Sequence, residues 1–386
     1  MKRILPALFL ITAACGSSSN PNQSATTIQT LTVGNYSAEM GPSPVGVIPA
    51  ATLHDAERNK DLEVSIEYPT RGGPFPIVVF SPGYGSSEHG YEPLISYWTS
   101  NGYVCIRPSH ADAGAIPTTP PPAPPVSTAS QNRRRGSTQQ GTVIPLPPQT
   151  NRMEDIYDRE REPQWRNRAL DIKLVLDSLG DLERQFPELQ GKMDHARIGV
   201  GGHSYGALTA LLLSGMNGTF ADPRVKAAVA MSPPGPSESR AITAQSFTSV
   251  KVPVMFMTGT NDRGANQSED ANWRKQAFDD SPAGDKYFFL IDSARHSSFT
   301  GQVSFYDMTP TMPTTSSSPY YGQQQPMQQQ PRGAMVVGND RRIFQMIKIA
   351  SLAFWDAYLK SDQTARDLLQ PQKFEGAFTG AHITVK

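Results

Sequence analysis

Ser204 lies at the centre of the pentapeptide Gly-His-Ser-Tyr-Gly at 202–206. An apolar run at 197–201 precedes this pentapeptide and another at 207–213 follows it, which is the order strand, sharp turn and helix. A serine at the apex of such a turn projects its hydroxyl from the sheet. Glycines flank it because a Cβ there would collide with the strand and the helix. The pattern predicts a nucleophilic serine.

A serine hydroxyl is a poor nucleophile at neutral pH, so this chemistry requires a histidine base and a carboxylate that orients the base. In this kind of scaffold the partners follow the serine in the order acid, then histidine. Only His296 and His382 lie after Ser204, and His382 is in the last five residues, where chains are often poorly ordered. His296 follows a strand-like run at 286–292 and lies in a predicted loop. It is therefore the candidate base.

The candidate acid is Asp262. The run 252–257 is typical of a buried strand, and it leads through 258–261 to this aspartate. A carboxylate at the C-terminal edge of a strand lies where the histidine needs its partner. Asp292 and Asp285 are weaker alternatives. An aspartate just after a strand can also serve only as a turn former that bonds its own backbone.

An acyl-transfer site also needs two backbone N–H groups that bind the developing oxyanion. One is expected from Tyr205, the residue after the nucleophile. The other is expected from the loop after an earlier strand, and the run 77–80 followed by Ser-Pro-Gly-Tyr-Gly-Ser at 81–86 fits that place. Tyr84 is the predicted second donor.

The spacing of apolar segments predicts a layered α/β architecture. Short, continuous apolar runs are typical of strands buried on both faces; they lie at 77–80, 103–106, 197–201, 225–231, 252–257 and 287–291. Alternating patterns at 28–40 and 62–68 predict antiparallel strands at the N-terminal side, and an amphipathic helix at 341–359 is expected to close the chain. Helical segments between the runs imply a mostly parallel central sheet with helices on both faces.

The segments 79–110, 197–233 and 252–299 resemble the α/β-hydrolase superfamily. Within it they are similar to the branch of platelet-activating-factor acetylhydrolases, dienelactone hydrolases and bacterial cutinases or polyester hydrolases. The resemblance covers roughly 62–300 and the final helix. It implies an α/β-hydrolase fold and hydrolysis of carboxylic esters, with short acyl groups, through a Ser-His-Asp triad and an acyl-enzyme.

One segment departs from the acetylhydrolase pattern. In the animal acetylhydrolases the acid follows the strand after the nucleophile helix, and here that loop, 230–234, reads Ala-Met-Ser-Pro-Pro without a carboxylate. The acid is then placed one strand later, at Asp262, as in the bacterial cutinases. This weakens the transfer of the acetylhydrolase substrate to this chain and leaves ester hydrolysis as the expected reaction.

The N-terminus resembles that of a bacterial lipoprotein. A short basic start, an apolar run at 4–14 and then Cys15 predict a signal peptide at 1–14, with lipidation of Cys15. The apolar run is too short to span a bilayer. A polar tether at 15–27 and a single catalytic domain at 28–386 would follow. The expected location is the cell envelope, anchored through lipid to the membrane, with secretion or the periplasm as the alternative.

Composition limits the partners. With 35 basic and 35 acidic residues, the chain has no net field that would attract nucleic acid. Cys15 and Cys105 are its only cysteines, so lipidation of the first excludes an internal disulfide, and Cys105 lies in an apolar strand as a core residue. No Cys/His cluster has metal-ligand spacing, so no metal or cofactor is expected. A monomer acting on a small-molecule or lipid ester is predicted.

Two segments, about 111–150 and 302–340, have no hydrophobic period and are rich in Pro or in Gln, Pro, Ser and Met. They are predicted to be insertions in the single domain, not core. Both leave the sheet at the edge that carries the candidate site. They are either lids over the site or plain disordered loops, and the sequence leaves these two possibilities open.

A serine carboxylic-ester hydrolase is the function that these residues favour. Two alternatives remain at this point. The first is a non-catalytic envelope protein that uses the same scaffold to bind partners through its Pro/Gln-rich segments. The second is an acyltransferase or peptidase, because the acceptor and the leaving group are selected by pocket walls that the sequence does not define.

Overall fold

The computed structural model describes residues 29–114, 161–264, 268–301 and 333–386. The predicted signal peptide, Cys15 and the tether lie outside the described residues. Most of the two predicted insertions, 115–150 and 302–332, lies outside them as well.

A nine-stranded sheet forms the centre of the described structure, with the strand order β11-β10-β9-β8-β7-β5-β6-β4-β3. The six strands from β6 to β10 in that order are parallel, and the pairs β3–β4, β4–β6 and β10–β11 are antiparallel. The strands are β3 Val45–Asp55, β4 Lys60–Pro69, β5 Phe75–Ser81, β6 Val104–Pro108, β7 Met193–His203, β8 Val225–Met231, β9 Val254–Asn261, β10 Lys286–Arg295 and β11 Ala381–Val385.

Helices cover both faces of this sheet. They are α1 Glu92–Ser100, α2 Arg161–Asp177, α3 Leu179–Gln185, α4 Tyr205–Leu213, α5 Ala244–Phe247, α6 Ala271–Asp279, α7 Gly333–Leu359, α8 Gln363–Leu368 and α9 Pro371–Ala377. None of the helices within the described ranges is long and apolar enough to cross a bilayer.

Strand β9 shows why the parallel strands are apolar without a break. Its residues Val254 and Phe256 pack in one core cluster, with side chains of α2 and α4. Its intervening residues Met255 and Met257 pack in the other cluster, with side chains of α1 and α7. Successive side chains of a strand point to opposite faces, so a strand covered on both sides needs apolar residues at every position.

The N-terminal edge differs from the prediction. Within the segment predicted as a strand at 28–40, the described residues 29–40 form only a short hairpin, β1 Thr32–Val33 and β2 Tyr36–Ser37, which is a separate sheet. The edge strand of the main sheet is β3, which sequence reasoning missed. Its side chains are mostly exposed or partly exposed, so it lacks the apolar run by which the inner strands were recognised.

The C-terminal part also extends beyond the prediction. Helix α7 begins at Gly333, before the predicted start at 341, and it does not close the chain. After α8 and α9 the chain returns as β11, which pairs antiparallel with β10 and places His382 opposite Leu290. The described part of the predicted second insertion, 333–340, belongs to α7. The mostly parallel sheet with helices on both faces is the predicted α/β-hydrolase architecture.

Candidate active site

Ser204 connects the end of β7 to the start of α4 in a backbone conformation with φ 56° and ψ −117°. L-residues rarely adopt such a positive φ, so the surrounding turn must impose it. A Cβ on Gly206 would lie 1.9 Å from the Ser81 carbonyl oxygen, and one on Gly202 would lie 2.1 Å from the Gly206 carbonyl oxygen. Only glycine therefore permits this close approach of strand, helix and the loop after β5. Ser204 itself remains partly exposed at the apex.

His296 lies beside Asp262, with Nδ1 and Oδ1 2.9 Å apart. An ionised carboxylate can only accept a hydrogen bond, so Nδ1 of neutral His296 carries the proton and donates it. Nε2 of neutral His296 is then the basic nitrogen. The Asp262 carboxylate is buried, whereas about a third of the His296 side chain is exposed, 34%. Such a pair provides an oriented base with access to solvent.

The buried Asp262 carboxylate is surrounded by donors. Oδ2 accepts hydrogen bonds from the hydroxyls of Ser232 at 2.6 Å and Thr258 at 2.8 Å, and the Arg274 Nε lies 3.1 Å from Oδ1. Burial alone would raise the pKa of Asp262. The Arg274 charge, the His296 contact and the Ser232 hydrogen bond outweigh burial and hold the pKa well below its usual range. Asp262 therefore stays ionised at neutral pH.

Ser232 occupies the loop after β8, the segment that lacks the carboxylate expected from the acetylhydrolase pattern. Its hydroxyl bonds the aspartate that comes from the next strand, β9. The residue is fully buried and has a φ of 49°. The loop after β8 thus supports the candidate acid with a hydroxyl in this protein.

The other candidate residues lie elsewhere. Asp292 is exposed, with Oδ2 3.8 Å from the Nε2 of His382, which lies in β11. Asp285 is exposed as well and accepts a hydrogen bond from the Tyr358 hydroxyl. Among the three aspartates considered from sequence, Asp262 is the one in contact with His296.

Arg274 was not identified from the sequence. It lies in α6, buried, and its Nη1 donates to the carbonyl oxygens of Ser232 at 3.0 Å and Pro233 at 3.1 Å. Its Nη2 lies 3.4 Å from His296 Nδ1. The guanidinium therefore connects the loop after β8 with the His296–Asp262 pair. No local pattern in 271–279 distinguishes this arginine from a surface residue.

We expect Arg274→Met to lower the free energy of unfolding by about 3–5 kcal/mol, because it leaves the buried Asp262 charge without its cation. Lys275→Met is the matched control in the same helix. Lys275 pairs with Asp279 at the surface, so its loss should cost at most about 0.5 kcal/mol. Urea denaturation of the three proteins measures both values. Equal effects of the two substitutions would contradict the importance of the buried pair.

Tyr84 and Tyr205, the predicted oxyanion donors, lie close together. Tyr84 is in the loop after β5, Tyr205 is the first residue of α4, and their ring centroids are 6.1 Å apart in an edge-on arrangement. The N-terminus of a helix carries a partial positive charge from its aligned peptide dipoles. Tyr205 thus lies at the positive end of α4 directly after Ser204, and the Tyr84 ring packs against the Tyr205 ring.

Tyr91 and a second histidine, His203, connect the loop after β5 with the end of β7, next to Ser204. The Gly83 N–H donates to the Tyr91 hydroxyl at 3.1 Å, and that hydroxyl lies 2.8 Å from Nδ1 of His203. Burial, and then the neighbouring His296, lower the pKa of His203 well below its usual value. His203 is therefore neutral, and Tyr91 donates its proton to Nδ1. The ring centroids of His203 and His296 are 4.6 Å apart, so the two rings are in contact.

His110 is a third histidine near the site; it is buried and lies just after β6. Burial and then the Arg168 charge lower its pKa to about 4, against the hydrogen bond that His110 donates to Asp171, which favours the charged form. An unfolded chain would return the pKa of this histidine to about 6.5. Between these values the unfolded state binds the extra proton, so His110 makes the protein less stable as the pH falls from 6.5 towards 4.

We expect His110 to lower the free energy of unfolding by about 2 kcal/mol at pH 5 relative to pH 7.5. In a His110→Gln variant that dependence is absent, so the difference in unfolding free energy between wild type and variant should shrink as the pH falls. His203 makes the same pH-dependent contribution to the unfolding free energy of both proteins, so that contribution cancels in the comparison. Urea denaturation at pH 7.5, 6 and 5 tests this, and parallel curves for the two proteins would contradict it.

Among the described residues, no cluster of three or more His, Cys, Asp or Glu side chains could hold a metal ion. Cys105 is buried in β6, as predicted, and burial raises the pKa of its thiol to about 12. This thiol therefore stays protonated and unreactive at neutral pH.

A comparison with known protein families agrees with this architecture. The family model described as platelet-activating factor acetylhydrolase, isoform II, matches residues 52–300. The matched span is well over half of the chain and runs from β3 to the short 3₁₀ helix His296–Thr300. It includes Ser204, Asp262 and His296. The chain belongs to the platelet-activating factor acetylhydrolase isoform II family, within the α/β-hydrolase superfamily.

Proposed function

We propose that this protein is a serine hydrolase that cleaves short-acyl carboxylic esters through an acyl-enzyme. Family membership implies a carboxylic ester hydrolase. The observation that carries the residue assignment is the 2.9 Å contact between His296 and Asp262, formed at the same edge of the sheet as the strained turn at Ser204. Ser204 is the nucleophile, His296 the general base and Asp262 the acid.

In the first step Ser204 Oγ attacks the acyl carbon while Nε2 of His296 takes the hydroxyl proton. The imidazolium that forms is stabilised by Asp262, which keeps its own negative charge. The tetrahedral oxyanion accepts hydrogen bonds from the backbone N–H groups of Tyr84 and Tyr205, each worth about 2.7–4 kcal/mol. His296 then gives its proton to the leaving alcohol, and the acyl group stays on Ser204.

In the second step a water molecule releases the acyl group. His296 takes a proton from the water, the resulting hydroxide attacks the acyl carbon, and the same N–H groups bind the second oxyanion. The proton returns to Ser204 Oγ as the ester bond to the enzyme breaks. The products are a carboxylic acid and the free enzyme.

The acyl length is tested with p-nitrophenyl esters from acetyl to palmitoyl. We expect kcat/KM to be highest for acetyl and butyryl and to fall steeply for longer chains. A fluorophosphonate should label Ser204 in the same preparation. Activity that rises with chain length would overturn the short-acyl assignment, and the absence of both hydrolysis and labelling would overturn the hydrolase assignment.

We also propose that Cys15 anchors the protein to the membrane of the cell envelope. The support is the sequence before it, a basic start and a short apolar run that ends in small residues. Several acyl chains, at about 0.8 kcal/mol for each buried CH₂, would make such an anchorage stable.

The expected result for Cys15→Ser is a shift of the protein from the membrane fraction to the soluble fraction, together with loss of incorporated fatty acid. Labelling of the producing cells with an alkyne fatty acid, followed by fractionation, measures both. Cys105→Ser is the control, because a buried thiol is not an acylation site. Fatty acid that remains on the Cys15→Ser protein would contradict the anchor.

A further inference from the structure

A second Ser-His-Asp set lies next to residues 82–84, here called the oxyanion loop. Ser81 Oγ lies 2.9 Å from Nε2 of His110, and His110 Nδ1 lies 2.9 Å from Oδ2 of Asp171. Ser81 ends β5, His110 follows β6 and Asp171 belongs to α2. Three separate elements therefore bring together the same three residue types as those at the proposed catalytic site.

This second set is closed to substrate. Ser81, His110 and Asp171 are at most 2% exposed, whereas Ser204 is partly exposed and His296 is about one-third exposed. A nucleophile that no ester can reach has no catalytic use. The set needs another explanation, and its hydrogen bonds indicate one.

The protons of this set have one consistent arrangement. Asp171 is ionised, because hydrogen bonding from His110 and the charge of Lys60 outweigh burial and hold its pKa at about 2. Its Oδ1 accepts hydrogen bonds from Arg58 Nη1 at 2.7 Å and from Lys60 Nζ at 3.0 Å. His110 Nδ1 must therefore donate to Oδ2, so Nε2 of neutral His110 is left as an acceptor for the Ser81 O–H.

Arg168 lies one turn before Asp171 in α2. It extends this series of hydrogen bonds to the oxyanion loop. Its Nη1 donates to the Pro82 carbonyl oxygen at 2.7 Å and lies 3.4 Å from Ser81 Oγ, and its Nη2 donates to the Gly83 carbonyl oxygen at 3.3 Å. The buried Asp112 carboxylate holds the guanidinium through Nε at 3.0 Å and Nη2 at 2.6 Å. Arg168 is thus fixed and in turn fixes two carbonyl groups.

The Gly83 carbonyl belongs to the same peptide group as the Tyr84 N–H. In a trans peptide the C=O and N–H bonds point in opposite directions. An arginine that holds the Gly83 C=O on the buried side therefore directs the Tyr84 N–H to the opposite side. The Arg168 guanidinium carbon also lies 4.7 Å from the ring centroid of Tyr205, the residue after Ser204. One buried cation thus contacts the peptide group that carries the Tyr84 N–H and also the Tyr205 ring.

We propose that Ser81, His110, Asp171 and Arg168 form a positioning network that sets the direction of the Tyr84 N–H for oxyanion binding. This inference rests on the proposed esterase function. None of the four residues touches the substrate. They act through the Gly83–Tyr84 peptide, and the reacting atoms remain those of Ser204 and His296.

Ser81→Ala tests the network, with Ser281→Ala as the matched control. Ser281 is also buried, and its hydroxyl bonds only the Ala277 carbonyl in α6 among the described contacts. We expect Ser81→Ala to lower kcat by about 10- to 100-fold, below the roughly 10²- to 10³-fold cost of losing an oxyanion donor outright. KM should change less than twofold. Ser281→Ala should retain wild-type values.

A trifluoromethyl ketone separates oxyanion binding from other effects, because its adduct with a serine places an oxyanion where the reaction does. Its affinity for Ser81→Ala should fall by the same factor as kcat/KM. Rates are divided by the concentration of active sites titrated with a fluorophosphonate, so unfolded protein does not lower the measured kcat. If Ser81→Ala does not fold, Asp171→Asn is the second variant. Its amide donates to His110 Nδ1 and reverses the hydrogen bond to Ser81, with the same expected losses.

Wild-type kcat and ketone affinity in the folded fraction of these variants, with only a lower melting temperature, would overturn the network as a positioning device. Fluorophosphonate labelling of Ser81 in the wild type would overturn it too, since the serine would then be reachable. Failure of the proposed function looks different, because wild type itself would then neither hydrolyse esters nor be labelled at Ser204. That result overturns both proposals.

Discussion

Ser204→Ala should lower ester hydrolysis by at least about 10⁴-fold, to a residual rate supported only by binding and by the oxyanion donors. The alanine removes the attacking oxygen and can occupy the same turn, since the Cα, the Cβ and the flanking glycines are unchanged. The melting temperature should therefore stay close to that of wild type. The measurement is initial-rate hydrolysis of p-nitrophenyl acetate, with the protein concentration set from absorbance.

Ser214→Ala is the control for this substitution. Ser214 follows α4, the helix that Ser204 precedes, and its buried hydroxyl bonds the Ala210 carbonyl oxygen at 2.7 Å. The same chemical change at the far end of one helix should leave kcat/KM within about twofold of wild type. If Ser204→Ala retained a tenth of the wild-type rate, the nucleophile would have to be another residue.

Asp262→Asn is expected to reduce kcat by about 10⁴-fold with little change in KM. The asparagine amide would donate to His296 Nδ1, which forces the proton onto Nε2 and leaves no basic nitrogen for Ser204. The imidazolium formed during attack would also lose its buried counter-charge. Unfolding stability should fall as well, because Arg274 would lie beside a neutral amide.

Asp292→Asn and Asp285→Asn are the matched controls, since both aspartates are the alternative acids in the sequence; Asp285 immediately precedes β10 and Asp292 lies within it. Both side chains are exposed, and their described contacts are with His382 and Tyr358. Kinetics of the three variants on one ester are compared at pH 7.5. Wild-type activity in Asp262→Asn with a large loss in Asp292→Asn would reverse the assignment of the acid.

The immediate surroundings of Asp262 add a physical point to this prediction. A cation and two hydroxyls on the same carboxylate favour its charged form, and His296 must share Oδ1 with Arg274. The carboxylate is therefore held in one orientation by the protein before substrate binds. In the proposed mechanism, such preorganisation would let the imidazolium form without rearrangement of the acid.

Local sequence patterns determined the turn at Ser204, the strands that frame it and the choice of His296 as base. The predicted turn and strands are present in the structure because each depends on neighbours along the chain, whereas the role of His296 stays a prediction. Glycines at 202 and 206 permit the turn, continuous apolar runs mark strands covered on both faces, and the order of the parts follows from how this fold is wound. The fold class was predicted on the same basis.

The elements that the sequence did not reveal are those without such a local signal. Strand β3 exposes most of its side chains, and β11 is a short edge strand at the end of the chain. Their positions are set by pairing with β4 and β10, which are contacts between distant segments. An edge strand covered on fewer sides needs fewer apolar residues, so its pattern is weak.

The polar partners of the site were decided by tertiary structure alone. Arg274 reaches Asp262 from another element, and Asp171 reaches Ser81 through His110, although neither pair has a fixed spacing in sequence. A buried charge is stable only where packing brings its partners to it, and that condition cannot be read from a single segment. The sequence alone determined the candidate nucleophile, the order in which the candidate acid and histidine follow it along the chain, and the sheet that carries all three. Only the folded chain decided which arginine and which hydroxyls hold the acid, because long-range packing creates those contacts.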